Sequence, residues 1–147
     1  MTSLIVLDRP YPADCSVALV LWIDGQVKAG FPSPAADFDC RPVDIAQLLV
    51  RHPQATFLLR ASGISMRDAG INDGDLLVVD RAIRPQPGHI VCAVVDSNFT
   101  VKYLQRRHGQ FRLVAADPTF PDIVPRDGQT LEVWGVVTAS ITRHVKL

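Results

Sequence analysis

The stretch Ala61-Ser-Gly-Ile-Ser-Met-Arg-Asp-Ala-Gly-Ile-Asn-Asp-Gly-Asp-Leu-Leu-Val-Val-Asp80 changes character halfway along. Its first half is small and polar, with Gly63 free to take backbone angles closed to other residues. Asn72-Asp-Gly74 is a turn signal, and Asp75-Leu-Leu-Val-Val-Asp80 after it is a short apolar run of strand type. Working outward, Thr56 to Ala61 predicts a strand before this stretch. His89 to Val95 and Phe99-Thr-Val-Lys-Tyr-Leu104 predict two more behind it, joined by a hairpin turn at Asp96-Ser97-Asn98. Gln110 to Ala115 adds another. Leu131 to Thr142 is a long last strand, or two interrupted near Gly135. Short strands at near-regular spacing predict a small, mainly-β domain.

One helix is expected, over residues 44–52. Ile45, Leu48, Leu49 and His52 recur at helical spacing, Asp44 is placed to cap the start, and Pro53 stops it. His52 reads as the edge of an amphipathic face. The first thirty residues differ from the rest. Pro10 and Pro12 break the start, and Ser16 to Ile23 is compatible with either a strand or a short helix. Pro32 and Pro34 make the piece from Lys28 to Pro34 extended or looped, a hinge between an arm and a body.

Composition narrows the function classes. The 147 residues are 48% hydrophobic and 20% charged, which excludes a disordered chain. Fifteen basic residues against fifteen acidic ones give no bulk attraction to nucleic acid. The longest apolar run, Val17 to Ile23, is far short of a membrane span, and Asp8 and Arg9 do not make a signal peptide. Cys15, Cys40 and Cys92 form no CxxC pair and fit thiols in a reducing cytoplasm. The histidines His52, His89, His108 and His144 show no metal spacing, and no phosphate-binding glycine loop occurs, so neither a metal nor a cofactor is expected. Charge is unevenly spread. Residues 81–112 carry Arg81, Arg84, Lys102, Arg106, Arg107 and Arg112 against Asp96 alone, which reads first as a solvated hairpin face and second as a docking surface for an acidic partner.

Two residues carry the chemistry. Ser65 stands at a strand-to-turn junction, although Arg67 takes the place of the last glycine of a hydrolase elbow. Alone, such a serine reads as a turn residue bonding its own backbone. Lys102 is one of only three lysines beside twelve arginines. Alternation puts it with Thr100 and Leu104 on one face of its strand, and Phe99, Val101 and Tyr103 on the other. A lysine among apolar neighbours either reaches its head to water or is desolvated. In the second case its neutral form gains, and a neutral amine can take the proton of a serine hydroxyl without any histidine.

Residues 61–80, with Phe99 to Leu104 and Gly30-Phe-Pro-Ser-Pro-Ala-Ala-Asp-Phe38, resemble the LexA-type Ser–Lys self-cleaving peptidases, and among them the UmuD-like SOS mutagenesis proteins. The resemblance covers residues 28–138, about three quarters of the chain. It implies a LexA/signal-peptidase-like β domain with one short helix and an extended N-terminal arm. It makes Ser65 the nucleophile, Lys102 the general base, Ala29–Gly30 the scissile bond, and the amides of Ile64 and Ser65 the oxyanion donors. Two positions depart from the UmuD-like pattern. Ile64 stands where those proteins often carry Asp, and the scissile pair is Ala-Gly rather than the Cys-Gly of some of them. Both neighbours of that bond are small, which suits a tight cleft.

Residues 1–29 are then an arm removed by self-cleavage and residues 30–147 the processed core. The resemblance implies stimulation by a RecA–single-stranded DNA filament. It also implies an accessory role for the core beside a UmuC-like error-prone DNA polymerase, a homodimer, a cytoplasmic location, and no sequence-specific DNA binding. Three readings compete with this one. A LexA-like repressor needs a helix-turn-helix for which the 29 residues before Gly30 leave no room. A signal peptidase needs a membrane anchor. A catalytically inactive interaction module, with Ser65 and Lys102 structural, is not excluded by sequence.

Overall fold

The computed structural model describes residues 19–23, 30 and 40–146. They belong to two compact units, divided between Leu49 and Val50, and each is described by itself. Most of the predicted arm and the segment 31–39 lie outside the described residues.

The smaller unit is a two-stranded sheet followed by one helical turn. Strand β1, Leu19–Ile23, pairs antiparallel with β2, Cys40–Asp44, in the register Leu19↔Asp44 to Ile23↔Cys40. Of the apolar run Ser16 to Ile23, compatible by sequence with strand or helix, the described part, Leu19–Ile23, is a strand. Strand β2 had no sequence signal, since Pro42 within it argues against pairing. It is found at an edge, where a missing N–H is tolerated. The predicted helix is shorter than expected. Helix α1 covers only Ile45–Leu49, started by the Asp44 carboxylate, which accepts from the Ala46 amide at 2.9 Å. Pro53 disfavours helical angles at the residue before it, and His52 is accordingly extended, at φ −123° and ψ 87°.

The larger unit is a six-stranded antiparallel sheet. Its strands are β3 (Thr56–Arg60), β4 (Leu76–Asp80), β5 (Ile90–Val95), β6 (Asn98–Arg107), β7 (Gln110–Val114) and β8 (Leu131–Ile141), in the spatial order β3-β4-β8-β5-β6-β7. Alternation along the strands divides the apolar residues between two cores. Leu59, Met66, Ile71, Leu77, Val79 and Cys92 form one, and Val91, Ala93, Leu104, Leu113 and Val136 form the other. Both two-residue hairpin turns have positive φ throughout, at Asp96 (46°) and Ser97 (67°), and at His108 (51°) and Gly109 (76°). That backbone matches the right-handed twist of the strands it joins.

The last strand is one strand, not two. Its register shifts against β5 between Cys92 and Ala93, and against β4 between Val78 and Val79. These bulges absorb the irregularity that sequence placed near Gly135. They also turn Trp134 onto Phe57 and Phe99, with ring centroids 5.3 and 5.7 Å away, and beneath the Arg81 guanidinium at 4.6 Å.

His52 is more than the edge of a helix face. Its Nδ1 lies 2.7 Å from Oδ2 of the buried Asp80, whose Oδ1 accepts from the Ala82 amide at 2.8 Å. Burial alone would raise the Asp80 carboxyl. The His52 contact and the amide bonds outweigh it and hold the group below its ordinary value. This contact ties the chain entering β3 to the far end of β4.

At Gly135 a Cβ would stand 2.6 Å from Val79 Cγ1 and 3.3 Å from Arg81 Cγ. Gly135→Ala should therefore lower unfolding stability by about 1–3 kcal/mol through overpacking, read as an earlier urea midpoint at unchanged slope.

Candidate active site

Ser65 owes its position to the turn that carries it. The chain leaves β3 through the buried Ala61, whose N–H donates to Asp75 O at 2.8 Å while Gly74 N–H returns a bond to Ala61 O at 2.9 Å. Gly63 takes φ +94°, and its N–H donates to Asp73 Oδ1 at 2.8 Å. Met66 and Ile71 are then driven into the core on either side of a 3-10 turn, Arg67–Ala69, with Ile71 N–H bonded to Met66 O. Ser65 sits between the flexible glycine and the anchored methionine. Its carbonyl accepts from Asp117 N–H at 3.0 Å, which fixes the turn to the loop after β7. The buried Asp75 braces the far end of the segment, accepting from Asn72 N–H and from the Thr142 hydroxyl, each at 2.8 Å.

Lys102 comes to this turn from the middle of β6. Its Nζ lies 2.9 Å from Ser65 Oγ, 3.2 Å from Thr100 Oγ1 and 3.2 Å from Val101 O. Thr100 shares its face of the strand, as alternation requires. No carboxylate lies within ion-pair reach of Nζ among the described residues. Burial, uncompensated by a counter-charge, lowers the Lys102 pKa from its ordinary value. The bond pattern has a chemical meaning. An ammonium would give one N–H to each of the three oxygens. A neutral amine gives its two to Thr100 and Val101, and its lone pair is left facing the serine hydroxyl.

Both residues line one cleft, of about 80 Å³, walled by Leu59, Met66, Leu77, Phe99 and Val101. Among the described residues, no histidine lines it. Cys92 does, but its thiol is pushed up to about 11 by burial and stays protonated at neutral pH. The amides of Ile64 and Ser65 donate to no acceptor among the described residues, and so remain available to an oxyanion. Of the expected cleavage pair, Gly30 is an exposed bend, and Ala29 lies outside the described residues. No cluster of metal-ligating side chains exists among the described residues, and no helix there is long and apolar enough to cross a membrane. The bracing roles of Asp73 and Asp75 have no signal in the sequence, where the first reads as a turn residue and the second as the start of a strand.

The antiparallel β domain thus sets a serine hydroxyl against a part-buried lysine amine in an apolar cleft, with no ion pair to that amine among the described residues. The sequence comparisons give its class. The chain is a member of the Peptidase S24-like family, whose profile matches residues 21–138. It is 45% identical over 113 residues to protein SamA of Salmonella typhimurium, covering 77% of this chain and 78% of SamA. Protein MucA of Escherichia coli is 42% identical over 120 residues, covering 81% and 82%. Protein ImpA of Shigella flexneri is 46% identical over 121 residues, covering 82% and 81%. These three are UmuD-like SOS mutagenesis proteins, and members of the S24 family cleave themselves. The LexA repressor of Cupriavidus taiwanensis is 41% identical over 124 residues, which cover 84% of this chain but 56% of the repressor.

A carbon-13 NMR titration of the Lys102 side chain should give a pKa below the ordinary lysine value of about 10.4. In Lys102→Arg the cleft would hold a permanent cation, so thermal stability should fall while far-ultraviolet dichroism is retained.

Proposed function

We propose that this chain is a UmuD-like self-cleaving serine peptidase, in which Ser65 and Lys102 cut the Ala29–Gly30 bond. The observation that carries the reading is the 2.9 Å contact between Lys102 Nζ and Ser65 Oγ, made by an amine with no ionic partner among the described residues.

Atoms and protons balance at each step. Neutral Lys102 takes the hydroxyl proton as Ser65 Oγ bonds to the carbonyl carbon of Ala29. The oxyanion that forms is held by the Ile64 and Ser65 amides. The tetrahedral species collapses, the C–N bond breaks, and Lys102 delivers its proton to the Gly30 amine. The ester left on Ser65 is then attacked by water, with Lys102 taking the water's proton and returning it to Ser65 Oγ as the ester C–O bond breaks, so that Ser65 and the neutral amine are restored and the new Ala29 carboxyl loses its proton to solvent. The substrate is tethered to the enzyme, which raises its effective concentration and removes the need for tight recognition. Control therefore falls on whether the arm occupies the cleft. A RecA–single-stranded DNA filament stimulates cleavage by binding the occupied state better than the empty one. The product, residues 30–147, acts in the cytoplasm as a homodimeric accessory subunit of an error-prone, UmuC-like DNA polymerase.

Intact-mass measurement after alkaline incubation should show a fragment beginning at Gly30. Its rate should climb about tenfold per pH unit until the folded-state value of Lys102 is passed, and then level off. The sign comes from the lowered pKa, because the active neutral amine is the minor species below it. Ser65→Ala and Lys102→Ala should each abolish the fragment at every pH, with unfolding still cooperative. A wild-type chain left whole by both high pH and an activated filament would favour the inactive interaction module instead.

A further inference from the structure

We propose that the ribbon formed by the outer ends of β6 and β7 is a contact site for single-stranded DNA, separate from the cleft. The ribbon pairs Gln105 with Arg112, Arg106 with Phe111, and Arg107 with Gln110, and turns at His108-Gly109. Every residue from Gln105 to Phe111 is exposed, so both faces of these two strands stand clear of the two cores. No acidic residue occurs between Asp96 and Asp117 in the chain. The carboxylate that reaches the ribbon is Asp122, on Arg112 at 3.2 Å, and Arg106 and Arg107 make no ion pair among the described residues.

The chemistry of these side chains favours a nucleic acid over an acidic peptide. They are arginines, whose planar fork matches phosphate oxygens two at a time. The Arg106 guanidinium lies 5.6 Å from the ring centre of Phe111, which is 43% exposed. An exposed ring and guanidinium together make a stacking platform for bases, and only an unpaired strand offers base faces to it. An acidic peptide would use the charges and gain nothing from the ring. The chain as a whole carries no net charge, so the attraction is local and involves few phosphates. Binding should be weak and independent of base sequence, with a logarithmic salt slope of about −1.4 to −2.1 for two to three contacts.

Fluorescence anisotropy of the full chain tests this with three probes: a labelled oligothymidylate of about 20 nucleotides, a duplex of the same length, and a polyglutamate peptide. The single strand should bind tightest. Arg106→Glu with Arg107→Glu should weaken it more than about tenfold. Phe111→Ala should weaken it at least about fivefold while leaving the polyglutamate affinity unchanged. Arg126→Glu, a charge reversal at an exposed arginine elsewhere, should leave all three unchanged. If the double variant unfolds, Arg107→Gln takes its place and should still weaken strand binding. Equal or tighter binding of the duplex or of polyglutamate overturns the assignment, as does strand binding indifferent to the ribbon variants.

Discussion

The desolvation of one amine governs the rest of this structure. Part-burial of the Lys102 ammonium costs free energy that no carboxylate among the described residues repays, and the consequence is a side chain inclined to give up its proton. A counter-ion would have made the same lysine a stable cation and a poor base. What the fold supplies instead are neutral acceptors, Thr100 Oγ1 and Val101 O, which orient the head group without neutralising it. In the proposed peptidase, apolar walls and the lack of a carboxylate near Nζ among the described residues would serve reactivity rather than stability.

Orientation of the hydroxyl is the second requirement, and it is met by backbone bonds rather than by bulk. The turn around Ser65 is closed through Ala61, Gly63 and Ser65 O, with Asp73 and Asp75 satisfying amides that would otherwise lie unpaired. Met66 and Ile71 add the hydrophobic anchorage. A serine placed this way need not search for its partner, since β6 and the turn are each fixed by their own contacts to the same sheet.

Much of this could be read from the residues. Short apolar runs at 56–61, 75–80 and 89–95, set off by turn signals, and the alternation of 99–104 located four strands closely, because a strand packed in a sheet buries such a run between turns. Lys102 was conspicuous as a lysine in an arginine-rich chain, and its face of the strand came from counting. The contact of Ser65 with Lys102, 37 residues apart in sequence, was suggested by family resemblance and not by local pattern. The misses have physical causes. Helix α1 is shorter than its periodicity because Pro53 restricts the residue before it, and His52 finds a better partner in the buried Asp80. Strand β2 was hidden by a proline that an edge position tolerates. The bulges of β8 depend on neighbours in β4 and β5 that no local window contains.

The small sheet bears on the fate of the arm once the proposed cut is made. Strand β1 precedes residue 29 and β2 comes after residue 30, so the severed bond would lie in the connection of a hairpin rather than at the root of a loose tail. Five backbone pairings would outlast the covalent link. The nicked product is then a two-piece complex whose lifetime is set by ordinary dissociation. Hydrolysis and departure of the arm become distinct events, the first set by acid–base chemistry and the second by dilution.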